Sequence, residues 1–486
     1  MKLKDAGKIK FVDILFALKQ KGEIEENMDE RLLNIVLDND FEGYINYENT
    51  SYTFSYENKK LTLINIENKQ SFFSEYKYVE FFKGFTVDGF DILFYINNDI
   101  YYKNGCYICS PRCIIFLRNS EYILEEIKFD TLRISGGTLN RFYSNRKMIE
   151  FDSKEKDNFK FKDIQETVTE EIVNLNDKVT KFELSIMKPG WIDDGIITFY
   201  NYDSLLRIKY DSKQDYKEII KDLNSVDKFF KFSANRIDIS FDDIYLEMKN
   251  EDDKYDKAAE IIIPYMIDNE VNKDMLDYTV FNGHLNDAFK FLNNSNYIFS
   301  IIPDNNKAFE TISNKDYCAA FSCFESIYQY IHGNDEKVKK TKDEIILDEV
   351  KKELLPLLEN VEQKYKGNNK IKRDFIKRFQ DIICKANLKL EKCITNELEN
   401  NDFIVESIYY KTRNEIKENG INKSIAKAVK DRDDITHNNT VKLDNISVGI
   451  YQMILKLNFV MILEYIGVSR DIYEKELNHL ELVNII

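Results

Sequence analysis

The sequence predicts an α+β protein, in which a β-rich, sandwich-like N-terminal half precedes an all-α C-terminal half. Up to about residue 245, short segments alternate apolar and polar side chains between turn residues, as antiparallel strands do. After Pro303, apolar residues recur at helical spacing. A chain of 486 residues is also too long for one compact core. We therefore expect a β-rich region at 1–250, a helical connector at 251–304 and a helical domain at 305–486.

The strands are assigned from side chains that alternate along short segments. In the segment SYTFSY, Tyr52, Phe54 and Tyr56 share one face of a strand. Asn104-Gly105 is a strong signal for a two-residue hairpin turn. Strands are also expected in these further segments: LTLINI (61–66), FDILFYI (90–96), IYY (100–102), CIIFLR (113–118), IITFYNY (196–202), LLRIKY (205–210) and IDISFDDIYLEM (237–248).

The helices are assigned from apolar residues spaced three and four positions apart. Two helices are predicted inside the β-rich half, at 167–179 and 214–226. Helical periodicity then dominates from about residue 254, and helices are expected at 253–269, 284–294, 307–332, 339–365, 373–394 and in three segments between 403 and 468. The helix at 339–365 carries one apolar stripe made of Ile345, Ile346, Val350, Leu354, Leu357, Leu358 and Val361. A helical bundle would bury such stripes against one another.

Charge and hydropathy narrow the class of protein. The net charge of −16 argues against a general nucleic-acid-binding surface, although it does not exclude a local basic site. The most apolar segment, 446–468, contains Lys456, Asn458 and Glu464, so it is predicted to be an amphipathic helix and not a membrane span. No secretory signal is recognised, because the apolar stretch near the N-terminus is short and is interrupted by Asp13. We expect a cytoplasmic protein.

Three cysteines, Cys106, Cys109 and Cys113, lie within eight residues of one another and have the reach to bind a zinc ion. A structural zinc site requires four ligands, and no other cysteine or histidine lies close by in sequence. We therefore expect reduced cysteines on strands, and we predict neither a metal nor a cofactor.

The four histidines are the best candidates for proton transfer near neutral pH. His284, His332 and His479 have no partner nearby in sequence, and we expect structural roles for them. His437 differs because it follows Arg432 in the arrangement Arg-x4-His, late in a helical region and before a polar turn. Four histidines and thirteen arginines in 486 positions would produce this spacing by chance in about one chain in ten, so the motif depends on its context.

The context of the motif, from Phe403 to about Tyr473, resembles the HEPN superfamily and, within it, the ApeA-like anti-phage branch. The family pattern is a helix of lysines and small apolar residues that runs into the arginine, followed by the histidine, a polar turn and an apolar helix with a glycine near its end. Here AKAVKDRDDITHNN leads into MILKLNFVMILEYIGVS. Asp433 fills the polar position after the arginine, where asparagine is commoner. A β-rich half followed by a helical bundle is also similar to the ApeA layout.

This resemblance implies a metal-independent endoribonuclease with Arg432, Asp433 and His437 at its site. The residue types suit that chemistry. The 2′-hydroxyl of RNA is the nucleophile, a neutral imidazole can take its proton, and an imidazolium can protonate the departing 5′-oxygen. The guanidinium can stabilise the charge that develops on the phosphoryl oxygens. The products would be a 2′,3′-cyclic phosphate and a 5′-hydroxyl.

Helix geometry constrains how the pair can act. Five residues rotate by about 500° along a regular helix, which leaves Arg432 and His437 roughly 140° apart. Either the helix breaks near Asp433-Asp434, or the residues of one chain act together with those of another. The family resemblance likewise implies two domains whose motifs face one cleft, and we expect a homodimer or a higher even oligomer.

Two basic runs are candidate phosphate-binding surfaces, although solvated helix faces explain each of them about equally well. The predicted RNA-binding residues are Arg413, Lys423, Lys427 and Lys430 beside the motif, and Lys372 and Arg373 in the second run.

Three functional readings follow. The first is a ribonuclease toxin of the abortive-infection kind, in which the β-rich half senses a phage protein and the helical half cuts a host RNA such as a tRNA. The alternative is an inactive HEPN scaffold whose β-rich domain binds a protein or carbohydrate ligand. The third is a role in nucleotide transfer, but the chain lacks the motif of a nucleotidyltransferase partner.

Overall fold

The structure, a computed structural model, divides the chain into two compact units. One is formed by residues 1–230 and 238–271, and the other by residues 231–237 and 272–486. The first contains the antiparallel sheet and the second contains most of the helices, so the α+β class is confirmed. The structure describes residues 40–47, 50–66, 79–96, 100–117, 126–144, 149–151, 159–161, 163–187, 203–264, 275–304, 312–334, 342–364, 370–385, 388–437 and 441–479.

Fourteen of the described strands form one antiparallel sheet. Its order is β12-β13-β14-β9-β15-β16-β8-β5-β4-β1-β2-β3-β7-β6, and β10 and β11 form a separate hairpin. The strands are β1 Phe41–Tyr47, β2 Thr50–Glu57, β3 Lys60–Asn65, β4 Phe81–Thr86, β5 Asp91–Ile96, β6 Tyr101–Lys103, β7 Cys106–Cys109, β8 Pro111–Leu117, β9 Phe129–Ser135, β10 Ile149–Phe151, β11 Phe159–Phe161, β12 Thr169–Leu175, β13 Lys178–Met187, β14 Asp203–Gln214, β15 Asp243–Lys249 and β16 Tyr255–Ile262.

This sheet is strongly curved around an aromatic core. The ring centroids of Phe41 on β1 and Phe116 on β8 are 5.2 Å apart, although β4 and β5 lie between these strands in the sheet. In a flat sheet, three strand spacings would separate them by roughly 14 Å. Phe54 and Phe94 pack edge to face in the same cluster. The curvature of this sheet therefore brings β1 and β8 together around the core.

The alternating pattern in the first strands is confirmed. Tyr52, Phe54 and Tyr56 point inward from β2 and are 0%, 3% and 2% exposed. Asn104 and Gly105 connect β6 to β7 with φ angles of 53° and 84°, which is the positive-φ geometry of a two-residue hairpin turn.

The helix predicted at 167–179 is wrong, because this segment forms the antiparallel hairpin of β12 and β13. Asn176 and Asp177 make its turn, with φ angles of 49° and 64°. Val173 is fully buried, whereas its neighbour Ile172 is 73% exposed. The apolar residues therefore follow the period of two of a strand and not the period of a helix.

The helix predicted at 253–269 is also wrong where the structure describes it. Strand β16 lies inside the sheet between β15 and β8, and the hairpin of β15 and β16 spans the boundary expected near residue 250. Four consecutive residues, Ala258, Ala259, Glu260 and Ile261, are buried. A strand covered on both faces reads as an unbroken apolar run, which periodicity cannot distinguish from a buried helix. The strand predicted at 196–202 lies outside the described residues.

The helices of the structure include the two predicted at 214–226 and 284–294. They are α1 Leu139–Phe142, α2 Tyr216–Ala234, α3 Tyr278–Phe281, α4 Leu285–Asn294, α5 Asn314–Asn334, α6 Lys342–Lys364, α7 Lys370–Lys385, α8 Leu390–Asn400, α9 Phe403–Glu406, α10 Tyr410–Asn419, α11 Ile421–Thr436, α12 Asn445–Tyr465 and α13 Arg470–His479, with 3₁₀ turns at Ile164–Thr167 and Tyr297–Ser300.

Helix α12 is the core helix of the second unit. It is long and apolar enough to cross a membrane, but 83% of its apolar window is buried inside the protein. Its polar groups have partners there: Lys456 Nζ donates to Ser407 Oγ at 2.9 Å, and Asn458 Nδ2 donates to the Ala320 carbonyl at 3.3 Å. The helix predicted to be amphipathic is thus buried around nearly its whole circumference.

Helix α6, in contrast, is more exposed than the sequence predicts. Its apolar stripe was expected to be buried in a bundle, yet no residue of α6 is buried. Helices α6 and α7 pack against each other, and the stripe remains exposed.

Candidate functional site

The predicted site residues lie at the C-terminal end of α11. Gly420, with a φ angle of 86°, is the single residue between α10 and α11, a conformation that favours glycine. The helix is continuous through Asp433 and Asp434 and ends at Thr436. His437 follows as the C-cap, and its backbone N–H donates to the Asp433 carbonyl at 3.0 Å. The break considered for the helix at Asp433-Asp434 is therefore absent.

Arg432 lies on the face of α11 that packs against the bundle. Ile425, Ala428 and Val429 on this helix are buried, and the Tyr317 hydroxyl of α5 donates to the Ala428 carbonyl at 3.1 Å. Arg432 is one turn further along the same face. Its side chain is 20% exposed. The sequence thus places the guanidinium where α11 meets α5.

Two carboxylates hold the Arg432 guanidinium. Nη1 donates to Asp433 Oδ1 at 2.9 Å, and Nη2 forms an ion pair with Glu325 of α5. Burial alone would lower the pKa of Arg432, but Asp433 and Glu325 outweigh that effect and raise it. The side chain is therefore a permanent, oriented cation. An anionic ligand would have to compete with Glu325 and Asp433 for it.

His437 is exposed and faces another direction. Continuing the rotation of α11 places it within about 40° of Lys423 and about 140° from Arg432. Arg432 itself lies about 180° from Lys423 around the helix. One chain therefore presents the two predicted catalytic residues on different sides of α11.

Lys423, Lys427 and Lys430 form a stripe along α11, because their spacing of four and three residues keeps them on one face. This stripe leads toward His437 and away from Arg432. Lys423 and Lys430 are exposed. Their ammonium groups lie on the solvent side of the helix, where a phosphate backbone could reach them.

Lys427, by contrast, is engaged in a network that fixes α11 to the start of α12. Its Nζ donates to Asp431 at 2.8 Å, to Asp444 at 3.0 Å and to Ser447 Oγ at 2.8 Å. Asp444 is the N-cap of α12 and accepts the Ser447 N–H at 3.0 Å. Burial alone would lower the pKa of Lys427, and the two carboxylates outweigh this and raise it. The contacts of Lys427 are thus those of a structural residue.

Arg413 is also engaged by nearby groups. Its Nη1 donates to the carbonyl and to the carboxylate of Glu406, both at 2.9 Å, and Lys417 donates to the same carboxylate at 2.5 Å. Lys372 and Arg373 belong to α7, and their side chains lie outside the described residues.

The sequence did not reveal a polar cluster around His332. The imidazole lies between two carboxylates, with Nδ1 at 3.5 Å from Glu344 and Nε2 at 3.3 Å from Glu397. The ring stacks on Tyr328 with centroids 4.1 Å apart. Burial alone would lower the pKa of His332, but Glu344 and Glu397 raise it to about 9. Both carboxylates are distant from His332 in sequence. Only Tyr328, one helical turn away, is close enough in sequence to be predicted as a neighbour of His332.

Tyr328, His332 and Glu344 line a cavity of about 330 Å³ between α5, α6 and the start of α8. Glu325 lines the same cavity and also pairs with Arg432. A single carboxylate therefore connects the wall of the cavity to the predicted catalytic arginine.

The remaining histidines and the cysteines have other surroundings. His284 is the N-cap of α4, and its backbone N–H donates to the Phe281 carbonyl at 2.8 Å. Cys109 and Cys113 are buried on different strands, and burial raises the pKa of each thiol to about 12. Across the described part of the chain, no three His, Cys, Asp or Glu side chains are grouped to hold a metal ion.

Comparison with known proteins adds no relative: no protein-family model matches this chain, and no characterised protein or solved structure similar to it is found.

Proposed function

We propose that the protein is a metal-independent endoribonuclease whose site combines His437 of one chain with Arg432 of another. The observation that carries the proposal is the placement of the two residues on one unbroken helix. His437 is exposed at its C-terminal end beside Lys423 and Lys430, whereas Arg432 faces α5. A site built within one chain would need both side chains on the same side.

The proposed chemistry assigns one task to each side chain. His437 in its neutral form accepts the proton of the 2′-hydroxyl, which attacks the adjacent phosphorus. The same His437, now protonated, gives this proton to the 5′-oxygen as the P–O bond breaks. Arg432 stabilises the charge on the phosphoryl oxygens. The products are a 2′,3′-cyclic phosphate and a 5′-hydroxyl, and no water or metal enters the step.

Asp433 and Glu325 fix the orientation of the Arg432 guanidinium in this scheme. Their carboxylates orient the Arg432 guanidinium before RNA binds. A phosphate that reaches Arg432 replaces part of this interaction, because the guanidinium has five donors arranged as a fork. Asp433 is more exposed than Glu325, at 52% against 36%, and is the easier partner to displace.

The exposed lysines extend the site along the RNA. Lys430 and Lys423 lie about two and four turns before His437 on the solvent side of α11, where they can contact phosphates further along the RNA backbone. Lys427 fixes the helix from within this stripe. We include Lys423 and Lys430 as RNA contacts, and we leave Lys372, Arg373 and Arg413 as predictions from the sequence.

The biological setting follows from the family resemblance of the sequence. We propose a toxin of the abortive-infection type that cuts a host RNA, such as a tRNA, when the β-rich unit senses a phage protein. The alternative is an inactive scaffold whose β-rich unit binds a protein or carbohydrate.

The test compares purified wild type, His437→Ala and the exposed control Lys442→Ala on total cellular RNA in buffer with EDTA. We expect wild type and Lys442→Ala to cut RNA to fragments with 2′,3′-cyclic phosphate ends, and His437→Ala to lose the activity. Cleavage that disappears with EDTA would overturn the metal-free mechanism. Intact RNA with wild type, also in lysate from phage-infected cells, would favour the inactive scaffold.

A further inference from the structure

Helix α6 exposes an apolar stripe that nothing in the described structure covers. Ile346, Val350, Leu354, Leu357 and Val361 lie within an arc of about 80° around the helix axis. They are between 38% and 59% exposed, and none of the 23 residues of α6 is buried. Their spacing of four, four, three and four residues is typical of a helix that packs along another helix.

Helix α7 carries a second stripe of the same kind. Phe375, Phe379 and Ile382 lie within an arc of about 60° and are 60%, 45% and 63% exposed. The two rings pack together with centroids 5.1 Å apart. Ile376, on the adjacent face, is buried at 8% exposure. Helix α7 therefore has one covered and one open apolar face.

The size of the two stripes matches what one subunit contributes to a stable interface. Eight large apolar side chains, each about half exposed, present roughly 800 Å² of surface. A standard interface buries about 800 Å² on each partner, so the two stripes together provide the area that one subunit contributes.

The charges of the two helices indicate what covers the stripes. Helix α6 has seven acidic and four basic residues, a net charge of −3. Helix α7 has six basic and two acidic residues, a net charge of +4. Two neighbouring helices of opposite net charge are complementary to a second copy of the same pair after a twofold rotation that brings each helix onto its opposite.

We infer that the α6–α7 hairpin is the dimer interface of the protein. The apolar stripe of α6 packs against the stripe of α7 in a second copy, and the twofold axis repeats the contact. Glu353, which borders the stripe of α6, then lies near Arg378, which borders the stripe of the opposite α7. This arrangement is independent of the ribonuclease activity, since it follows from apolar surface and charge alone.

The experiment measures mass in solution by light scattering for the full chain at micromolar concentration. Wild type should be a dimer of about twice 57.7 kDa. Leu354→Glu with Leu357→Glu should give the monomer mass, with an unchanged circular dichroism spectrum. The matched control, Ile172→Glu with Val179→Glu, replaces two exposed apolar residues of the β12–β13 hairpin and should remain a dimer. A monomeric wild type, or a dimer that survives the α6 substitutions, would overturn the inference.

Charge reversal tests which helices meet. Arg378→Glu should weaken the dimer several-fold at low salt. Adding Glu353→Lys on α6 should restore it, because opposite charges face each other again. No restoration would contradict the pairing of α6 with α7. Lower RNA affinity with an unchanged dimer mass would instead assign the basic face of α7 to RNA and overturn its role in the interface.

Discussion

Arg432 and Glu325 form an ion pair between α11 and α5, in the same region where His437 projects to solvent from the end of α11. The arginine is held against the bundle while the histidine is open. A reaction that needs both therefore requires either a large rearrangement of α11 or a second chain. The first is unfavourable, because the network around Lys427 ties α11 to the start of α12.

Removing the carboxylate that holds the arginine should change substrate binding more than the chemical step. In Glu325→Gln, the guanidinium loses a competitor for phosphate, so we expect the KM for RNA to fall several-fold. Arg432→Lys should instead lower kcat by roughly 100-fold, because a lysine cannot replace the planar fork. Steady-state cleavage assays measure both, with Glu399→Gln as a control for loss of one exposed carboxylate. A KM that rises in Glu325→Gln would contradict the competition.

The lysine stripe should control the salt dependence of RNA binding. Lys423→Gln with Lys430→Gln removes two proposed phosphate contacts, so the slope of log K against log salt should become shallower by about 1.4 for single-stranded RNA. Fluorescence anisotropy on an uncleavable 2′-deoxy oligonucleotide measures it. The control, Lys103→Gln with Lys254→Gln, changes two exposed lysines of the β-rich unit and should leave the slope unchanged. If the salt dependence has the same slope in both variants, Lys423 and Lys430 do not contact the RNA backbone.

Lys427 should behave as a structural residue although it lies in the same stripe. Lys427→Met breaks the bridge to Asp431 and Asp444, and we expect a loss of about 1 kcal/mol, since the lysine is 37% exposed and solvent weakens its ion pairs. Thermal unfolding should show a Tm lower by a few degrees, whereas Lys423→Met should show none of this loss. An unchanged Tm in Lys427→Met would mean that the network does not stabilise the helix.

His332 should make the stability of the helical unit depend on pH. Its folded pKa is about 9, above the unfolded value near 6.5, so the protonated imidazole contributes stability that is fully present below pH 6.5 and is lost as pH rises through 9. The difference corresponds to roughly 3 kcal/mol. His332→Gln should remove this part of the pH dependence.

Lys456 changes the stability of the helical unit with pH in the opposite direction to His332. The effect of His332 is therefore measured as the difference between wild type and His332→Gln. Burial lowers the pKa of Lys456 to about 8, so its effect on stability becomes more favourable as pH rises from 8 toward 10.5. Urea unfolding of wild type and His332→Gln at several pH values from 6 to 10 separates the two, because Lys456 is common to both. Parallel stability curves would show that His332 is not held as a cation by Glu344 and Glu397.

Local patterns in the sequence determined much of the fold. The inward aromatics of β2 and the Asn104-Gly105 turn follow from alternation and from backbone preference, which are properties of neighbouring residues. The hairpin at Asn176-Asp177 was missed because exposed Ile172 beside buried Val173 resembles helical spacing in a short window.

Contacts between distant residues could not be read from the sequence. Arg432 and Glu325 are 107 positions apart, and the two carboxylates around His332 lie on different helices. The spacing of Arg432 and His437 was visible, and helix geometry alone showed that they diverge. What the sequence lacked was the partner of the arginine, which depends on how α5 and α11 pack.

The most direct test of the shared site is a heterodimer of Arg432→Ala and His437→Ala chains, each carrying a different affinity tag, purified over both tags. If His437 of one chain acts with Arg432 of the other, one of the two sites is intact and the heterodimer should have about half the wild-type activity. A wild-type chain paired with the Arg432→Ala, His437→Ala double variant should then be inactive, because each site lacks one residue. An inactive first heterodimer and a half-active second one would contradict the account and place both residues within a single chain.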